Sequence, residues 1–212
     1  MPRSFFRPLA ATAAAVALLS ACSNTPETTV AAASTYRVDA AQSQLQFVTL
    51  KSGQAGAGGV AEVQKFTRFS GGIDAAGAVV LDIDLASVET GVAIRDERLR
   101  TLLFNVPVNP SARFSAKVDP GLLKDLAKGA SRDVEAAGQL RLAGQSRDVT
   151  AQLRLVRLVD GGLQVSSRSP LVIDLAAFGL KPGVEALREI MGLNFLAASA
   201  PVNLTLVMHA QR

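Results

Sequence analysis

Residues 134–159 read VEAAGQLRLAGQSRDVTAQLRLVRLV, and their pattern is the clearest indication of the fold class. Leu140 and Leu142 alternate with polar residues before its centre, and Val149–Leu155 alternates in the same way after it. Period-two alternation predicts strands with one apolar face and one wetter face. The Ala143-Gly144-Gln145 signal between the two runs predicts a turn. The stretch is therefore predicted to form an antiparallel pair of strands.

The same alternation recurs along the chain, with glycine-containing turn signals such as Gly71-Gly72, Ala76-Gly77 and Asp160-Gly161-Gly162 between the runs. Short strands at even spacing predict a sandwich or a barrel. The sequence thus predicts an all-β, antiparallel fold of about eight strands. The predicted strands lie near 36–39, 43–50, 60–73, 78–86, 111–118, 134–143, 148–159 and 163–174, with 201–209 as a ninth or closing strand. Three segments are predicted to be helical instead, namely 92–103, 122–128 and 183–191.

The N-terminus differs in composition from the rest of the chain. Residues 1–21 combine a basic start with an apolar, alanine-rich run that is too short to span a membrane, which is typical of a secretory signal peptide. The run ends in Leu19-Ser20-Ala21-Cys22, which resembles the bacterial lipobox. That resemblance implies lipid modification of Cys22 after removal of 1–21. It also implies sorting to the outer membrane, because Ser23 rather than aspartate follows the cysteine.

The remaining chain divides into two parts. Residues 22–35 are small and polar and are predicted to be a lipid-anchored flexible tether. Residues 36–212 are long enough for a single domain with a sizeable core. Loss of Arg3 and Arg7 with the signal would lower the formal net charge from +4 to +2. With this modest charge, no Trp and one Tyr, the composition does not predict nucleic-acid binding.

The titratable residues do not predict catalysis. His209 is the only histidine and Cys22 the only cysteine, so neither a zinc site nor a Ser-His-Asp relay is predicted. The alternation of the last strand places His209 on its outer face. Asp82 and Asp84 share the wetter face of one strand, where solvated carboxylates are expected. The chain is therefore predicted not to be an enzyme and to need no cofactor.

A series of short motifs follows one another through nearly the whole domain. In chain order they are Tyr36-x-Val38-Asp39, Ser43-x-Leu45-x-Phe47, Phe66-x-x-Phe69-x-Gly71, Ser87-Val88-Glu89-Thr90-Gly91, Arg95-Asp96-x-x-Leu99-Arg100, Phe104, Pro110-x-Ala112-x-Phe114-x-Ala116, Gly138-x-Leu140-x-Leu142-x-Gly144 and Ala177-Phe178-Gly179-Leu180. Their joint order resembles that of the YceI-like family of secreted bacterial proteins. The chain departs from that family at Arg98 and near Lys51, where the family commonly has histidine, and Pro182–Leu193 is a helical insertion expected to cap one barrel mouth.

The resemblance implies a lipocalin-like antiparallel β-barrel of about eight strands with a polyisoprenoid chain in its lumen. On this interpretation the protein binds or carries an isoprenoid lipid of polyprenyl or quinone type, and an N-terminal lipid anchor holds it to a membrane on the periplasmic side of the envelope. The alternative is a scaffold or interaction module for a periplasmic respiratory or envelope-stress complex, with a filled barrel. The sequence leaves a ligand cavity and a filled core open, because the same apolar residues line both.

The candidate ligand-binding residues are mostly large and apolar. Such side chains can either line a cavity or pack a core. They are Phe47, Phe66, Phe69, Phe104, Phe114, Leu187 and Phe195.

The charged stretch Arg95–Arg100 is predicted to be a short helix packed across a barrel opening. We expect Leu99, Leu102 and Leu103 to face the barrel, while Asp96 and Arg100 are spaced to form an i,i+4 ion pair. The alternative is that Arg95 and Arg100 contact a polar lipid head group, because a guanidinium suits phosphate.

Overall fold

The computed structural model describes residues 34–53 and 58–211. The predicted signal peptide, Cys22 and the tether up to residue 33 lie outside the described residues. The described residues form twelve strands and three α-helices. In chain order these are β1 (Ser34–Ser52), β2 (Val60–Phe66), β3 (Phe69–Asp74), β4 (Ala78–Asp84), β5 (Val88–Glu89), α1 (Ala93–Arg98), β6 (Ser111–Lys117), α2 (Pro120–Asp125), β7 (Ser131–Leu142), β8 (Gln145–Arg157), β9 (Leu163–Ser167), β10 (Leu171–Asp174), α3 (Lys181–Ile190), β11 (Phe195–Leu196) and β12 (Ser199–Ala210).

Eight of these strands close into an antiparallel barrel, which confirms the predicted fold class. Around the barrel the order is β1, β3, β4, β6, β7, β8, β9 and β12, and β12 pairs with β1 to complete the ring. At one end, β2 continues the wall along the second half of β1, and β10 continues it along the first half of β12. Closure leaves the eight central strands without an unpaired edge in that part of the wall.

The hairpin of β7 and β8 forms as the sequence predicts. Its strands pair from Ser131 opposite Val156 to Leu142 opposite Gln145. Ala143 and Gly144 make the two-residue turn with φ values of 48° and 75°. Positive φ at both central positions matches the twist of the flanking strands, and glycine adopts it without steric cost.

Strand β1 corrects the prediction of two separate strands near 36–39 and 43–50. The strand is continuous, and its register against β12 shifts between Asp39 and Gln44. The Asp39 carboxylate accepts a hydrogen bond from the backbone N–H of Ala41, and Ser43 Oγ donates to the Asp39 carbonyl. These local bonds satisfy polar groups at the irregularity, so the strand bends without ending.

The predicted strand 60–73 is instead divided into β2 and β3. The backbone N–H groups of Thr67 and Arg68 turn to Ser87, donating to its carbonyl at 3.1 Å and its hydroxyl at 3.0 Å. Gly71 lies within β3 and not in a turn. Glycine is required there because β4 approaches so closely that a Cβ would collide with the Val80 carbonyl oxygen. The predicted strand 163–174 divides likewise, with Pro170 between β9 and β10.

The helical segments differ from prediction in their bounds. Helix α1 continues into a π turn at Leu99–Leu103, closed by the hydrogen bond from Phe104 N–H to the Leu99 carbonyl. A π turn holds more residues per turn than an α-helix, so Leu99 and Leu103 stay buried while Leu102 rotates outward and is 38% exposed. The expectation that Leu102 faces the barrel was therefore wrong.

Helix α2 begins earlier than the predicted 122–128. Asp119 accepts a hydrogen bond from the Gly121 N–H at 2.9 Å, and Pro120 occupies the first turn. This N-cap and proline pair is a sequence signal for a helix start that the apolar pattern alone does not reveal.

The interior of the barrel holds two groups of buried residues. One group surrounds Tyr36, Ile73, Leu155 and Leu163, and includes Leu123 of α2. The other gathers the ends of the strands near β2 with α3 and the π turn. No helix in the described part of the chain is long and apolar enough to cross a membrane.

Candidate ligand cavity

A cavity of about 190 Å³ occupies the barrel half that faces α3 and the π turn. Six of the eight barrel strands line it, all but β3 and β9, together with β2 and β10, the π turn and α3, and Arg95 of α1. The apolar lining includes Leu45, Phe47, Phe66, Leu81, Ile83, Leu85, Ala112, Phe114, Leu140, Leu142, Val149, Ala151, Leu171, Ile173, Ala200 and Val202. The barrel is therefore hollow in one half and filled in the other.

The two helical segments cover this hollow half. Leu99 and Leu103 of the π turn line the cavity together with Val184 and Leu187 of α3. Helix α3 and the π turn pack so closely that a Cβ at Gly183 would lie 2.5 Å from the Leu102 carbonyl oxygen. This arrangement agrees with the expectation that the helical insertion caps one barrel mouth.

Six of the sequence-predicted ligand residues come together at the cavity. Three of the six have rings in sequence, with the centroids of Phe47 and Phe66 5.3 Å apart and those of Phe66 and Phe104 6.0 Å apart. The six are Phe47, Phe66, Phe104, Phe114, Leu187 and Arg95.

Three predicted ligand residues lie elsewhere. Phe69 is buried in the filled half of the barrel. Phe195 of β11 is 49% exposed and does not line the cavity. Arg100 is outside the lining and pairs with Glu97 at 3.2 Å.

Polar side chains collect at one wall of the cavity, on the facing strands β1 and β2 and on α1. We call Thr49, Lys51, Glu62, Gln64 and Arg95 the mouth cluster; all five line the cavity. Glu62 bridges the two cations, with Oε1 2.9 Å from Lys51 Nζ and Oε2 2.8 Å from Arg95 NH1. Gln64 Nε2 donates to Thr49 Oγ1 at 3.3 Å.

Of the five mouth-cluster residues, only Arg95 was predicted from the sequence to bind a ligand. The missed residues carry a signal, because Phe47, Thr49 and Lys51 share one face of β1 while Glu62 and Gln64 share the facing side of β2. Polar residues that continue an inward apolar face of a strand are candidates for a site. The cross-strand register that joins them is set by the fold.

The predicted i,i+4 pair of Asp96 and Arg100 does not form. Asp96 Oδ1 instead accepts hydrogen bonds from the backbone N–H and the hydroxyl of Thr90, at 2.8 and 2.6 Å, and so anchors the start of α1. Arg100 pairs with Glu97 one turn away. Because Asp96 is hydrogen-bonded to Thr90, it does not pair with Arg100, and the ion pair expected from the i,i+4 spacing was wrong.

The other titratable candidates lie on the outside, as expected. Asp82 pairs with Arg113 of the neighbouring β6, and Asp84 pairs with Arg68, which lies between β2 and β3. His209 Nε2 lies 3.2 Å from Asp39 Oδ2.

The pKa of Asp39 is lowered, first by the hydrogen bond from Gln42 and then by its bonds to His209 and two backbone N–H groups. Among the described residues, no group of three acidic, histidine or cysteine side chains is arranged to hold a metal ion.

Comparison with known proteins matches residues 36–209 to the family described as the YceI-like domain. None of the curated proteins compared with the chain matches it.

Two solved structures are similar to the fold. A polyisoprenoid binding domain from Saccharophagus degradans, implicated in plant cell wall breakdown, is 34% identical, with a TM-score of 0.79 over 84% of this chain and 99% of that one. BcnA of Burkholderia cenocepacia is 20% identical, with a TM-score of 0.60 over 80% of this chain and 98% of that one, and supports the fold alone. Since the family match spans most of the sequence and the first of these relatives is covered almost completely, the chain belongs to the YceI-like domain family.

Proposed function

We propose that this protein is a lipoprotein of the bacterial envelope that binds or carries an amphiphilic isoprenoid lipid, of polyprenyl or quinone type, without catalysing a reaction. The observation that carries the proposal is the apolar cavity of about 190 Å³ inside a closed barrel. A related domain with 34% identity is described as polyisoprenoid binding, which supports the same ligand class here.

The chemistry of the cavity suits a hydrocarbon tail. Phe47, Phe66, Phe104 and Phe114 present rigid apolar surface, and Leu187 covers it from α3. Burial of a hydrocarbon contributes about 0.8 kcal/mol per CH₂ group, and a cavity lined by such residues gives water few partners. The cavity favours a carrier over a scaffold with a filled barrel. A cavity of about 150 Å³ holds benzene, so this one accommodates part of a twenty-carbon tail, and a full tail requires lining side chains to move or the tail to extend through the mouth.

Native mass spectrometry of the full chain, extracted from its membrane with a neutral detergent, tests this function. We expect a bound mass of an isoprenoid lipid, and uptake of geranylgeraniol after the bound lipid has been removed. A protein that carries no lipid and takes up no geranylgeraniol would contradict the proposal.

The proposed anchor places the protein on the periplasmic side of the envelope, at the outer membrane. It rests on the lipobox-like Leu19-Ser20-Ala21-Cys22 and on Ser23. Metabolic labelling with palmitate should mark the wild-type protein and leave Cys22→Ala unlabelled. Equal labelling of the two proteins, or none of either, would refute the anchor and leave the lipid-binding proposal standing.

A further inference from the structure

The wall formed by β1 and β2 changes from apolar to charged towards the mouth. Deep in the cavity Leu45 lies opposite Phe66, and next to them Phe47 lies opposite Gln64. Closer to the rim Thr49 lies opposite Glu62, followed by Lys51. A ligand along this wall meets hydrocarbon first and polar groups last, which orients an amphiphile with its head at the rim.

The mouth cluster carries one uncompensated positive charge. Lys51 and Arg95 share the single carboxylate of Glu62, and these three are the only charged residues of the described chain that line the cavity. Their side chains are 19%, 21% and 29% exposed. Partial burial weakens the screening of that charge by water, so an anionic head group gains more there than at an open surface.

Gln64, on the same wall, has a buried polar atom without a partner. Its residue is 2% exposed, its Nε2 bonds to Thr49, and its Oε1 is buried without a hydrogen-bond partner. Buried polar groups are nearly always paired. Turning the amide over would move the unpaired position from oxygen to nitrogen, still on a side chain that lines the cavity. A phosphate monoester pairs with either orientation, because its oxygens accept and its O–H donates.

We propose that Lys51, Arg95 and Gln64 bind the head group of the lipid and that this head group is a phosphate ester on an isoprenoid tail. Arg95 supplies the planar guanidinium that suits phosphate oxygens, and Lys51 supplies a point charge. Glu62 holds both cations in place and limits their net charge. This inference rests on the proposed isoprenoid-binding function and narrows its ligand to the anionic members of that class.

A matched pair of ligands isolates the head group. Geranylgeranyl phosphate and geranylgeraniol share one tail and differ in the phosphate alone. The binding of each is measured by displacement of the neutral dye Nile red from the full chain, after direct titration has established that the dye binds. We expect the phosphate to bind about ten-fold more tightly than the alcohol, as a charge-assisted contact of ordinary strength requires.

Substitutions in the cluster should move this preference in opposite directions. Arg95→Gln and Lys51→Gln each remove the net charge and should reduce the preference to about two-fold or less. Glu62→Gln raises the net charge and should increase it. Arg113→Gln, which breaks an ion pair on the outer face of β6, should leave the preference unchanged. A general loss of folding cannot produce opposite signs.

Gln64→Leu tests the unpaired amide separately. We expect weaker binding of geranylgeranyl phosphate, by several-fold, with little change in thermal stability, because the substitution removes an unsatisfied buried oxygen together with the single hydrogen bond to Thr49. A less stable variant that binds the phosphate normally would assign Gln64 to the fold and overturn its part in the site.

The outcomes separate the two proposals. If neither lipid displaces the dye, the isoprenoid-binding function itself fails. If both lipids bind equally and Arg95→Gln behaves as wild type, the head-group site alone is overturned. Inorganic phosphate that binds as tightly as geranylgeranyl phosphate would also overturn it, because the site would then recognise free phosphate without the tail.

Discussion

Single residues decide how tightly the barrel mouth is covered. Val184 and Leu187 of α3 line the cavity, yet the helix reaches this position only because Gly183 lets its backbone approach Leu102 and Leu103. The glycine is needed for space and not for an unusual backbone angle. The apolar stripe of α3 could be predicted from the sequence. The close approach could not, because the local sequence pattern does not indicate that α3 packs against the π turn.

Gly183→Ala should therefore destabilise the protein. In an isolated helix the change stabilises by about 1 kcal/mol, but here the new Cβ would lie 2.5 Å from a backbone oxygen that has no flexible end to move away. We expect a loss of about 1–3 kcal/mol in the free energy of unfolding, measured with urea.

Gly58→Ala is the matched control, because a Cβ at Gly58 meets no atom within 4 Å. It should show no loss of stability. A Gly183→Ala protein more stable than wild type would contradict the packing described for α3.

Elements built from local contacts were predicted well, and elements set by distant partners were not. The β7–β8 hairpin follows from its own alternation and turn. The break between β2 and β3 depends on hydrogen bonds to Ser87, about twenty residues away in sequence, so the predicted strand 60–73 ran through it. Four of the five mouth-cluster residues were missed for the same reason, since only the β1–β2 register brings Thr49, Lys51, Glu62 and Gln64 to one wall.

An ion-pair group on the outer face of the β7–β8 hairpin makes its stability depend on pH. Asp133 pairs with Arg154 through both carboxylate oxygens and with Arg168 at 3.0 Å. The hydrogen bond from Arg154 is the main reason that the pKa of Asp133 is lowered from its ordinary value of 3.8. A lowered folded-state pKa contributes stability above the ordinary value, and that contribution is lost as the pH falls through the lowered pKa.

Asp133→Asn should accordingly be less stable than wild type at neutral pH, and the difference should shrink as the pH falls below 3.8. Urea unfolding from neutral pH down to about pH 2 measures this. Asp148→Asn, at the exposed turn end of the same hairpin, provides the control and should show a smaller difference. A difference between Asp133→Asn and wild type that stays constant over the range would contradict the ionic origin.

At the scale of the whole molecule, the barrel combines a filled half with a hollow half. Leu123, Leu155 and Leu163 pack the first, and the cavity under α3 and the π turn occupies the second. Alternation in the sequence predicted the inward faces of the strands in both halves, and it left open which of them line a cavity. That distinction depends on how far the side chains of opposite walls reach across the barrel, which is a property of the closed structure.

The most direct test of the central claim is to block the cavity and measure binding of geranylgeraniol. Ala112 of β6 lines the cavity, whereas Ala137 of the neighbouring β7 is exposed. Ala112→Phe should fold, at a cost within about 1–3 kcal/mol, because its ring enters existing space. It should weaken binding by about ten-fold or more, while Ala137→Phe binds as wild type does. Unchanged binding by a folded Ala112→Phe protein would show that the tail does not lie inside the barrel.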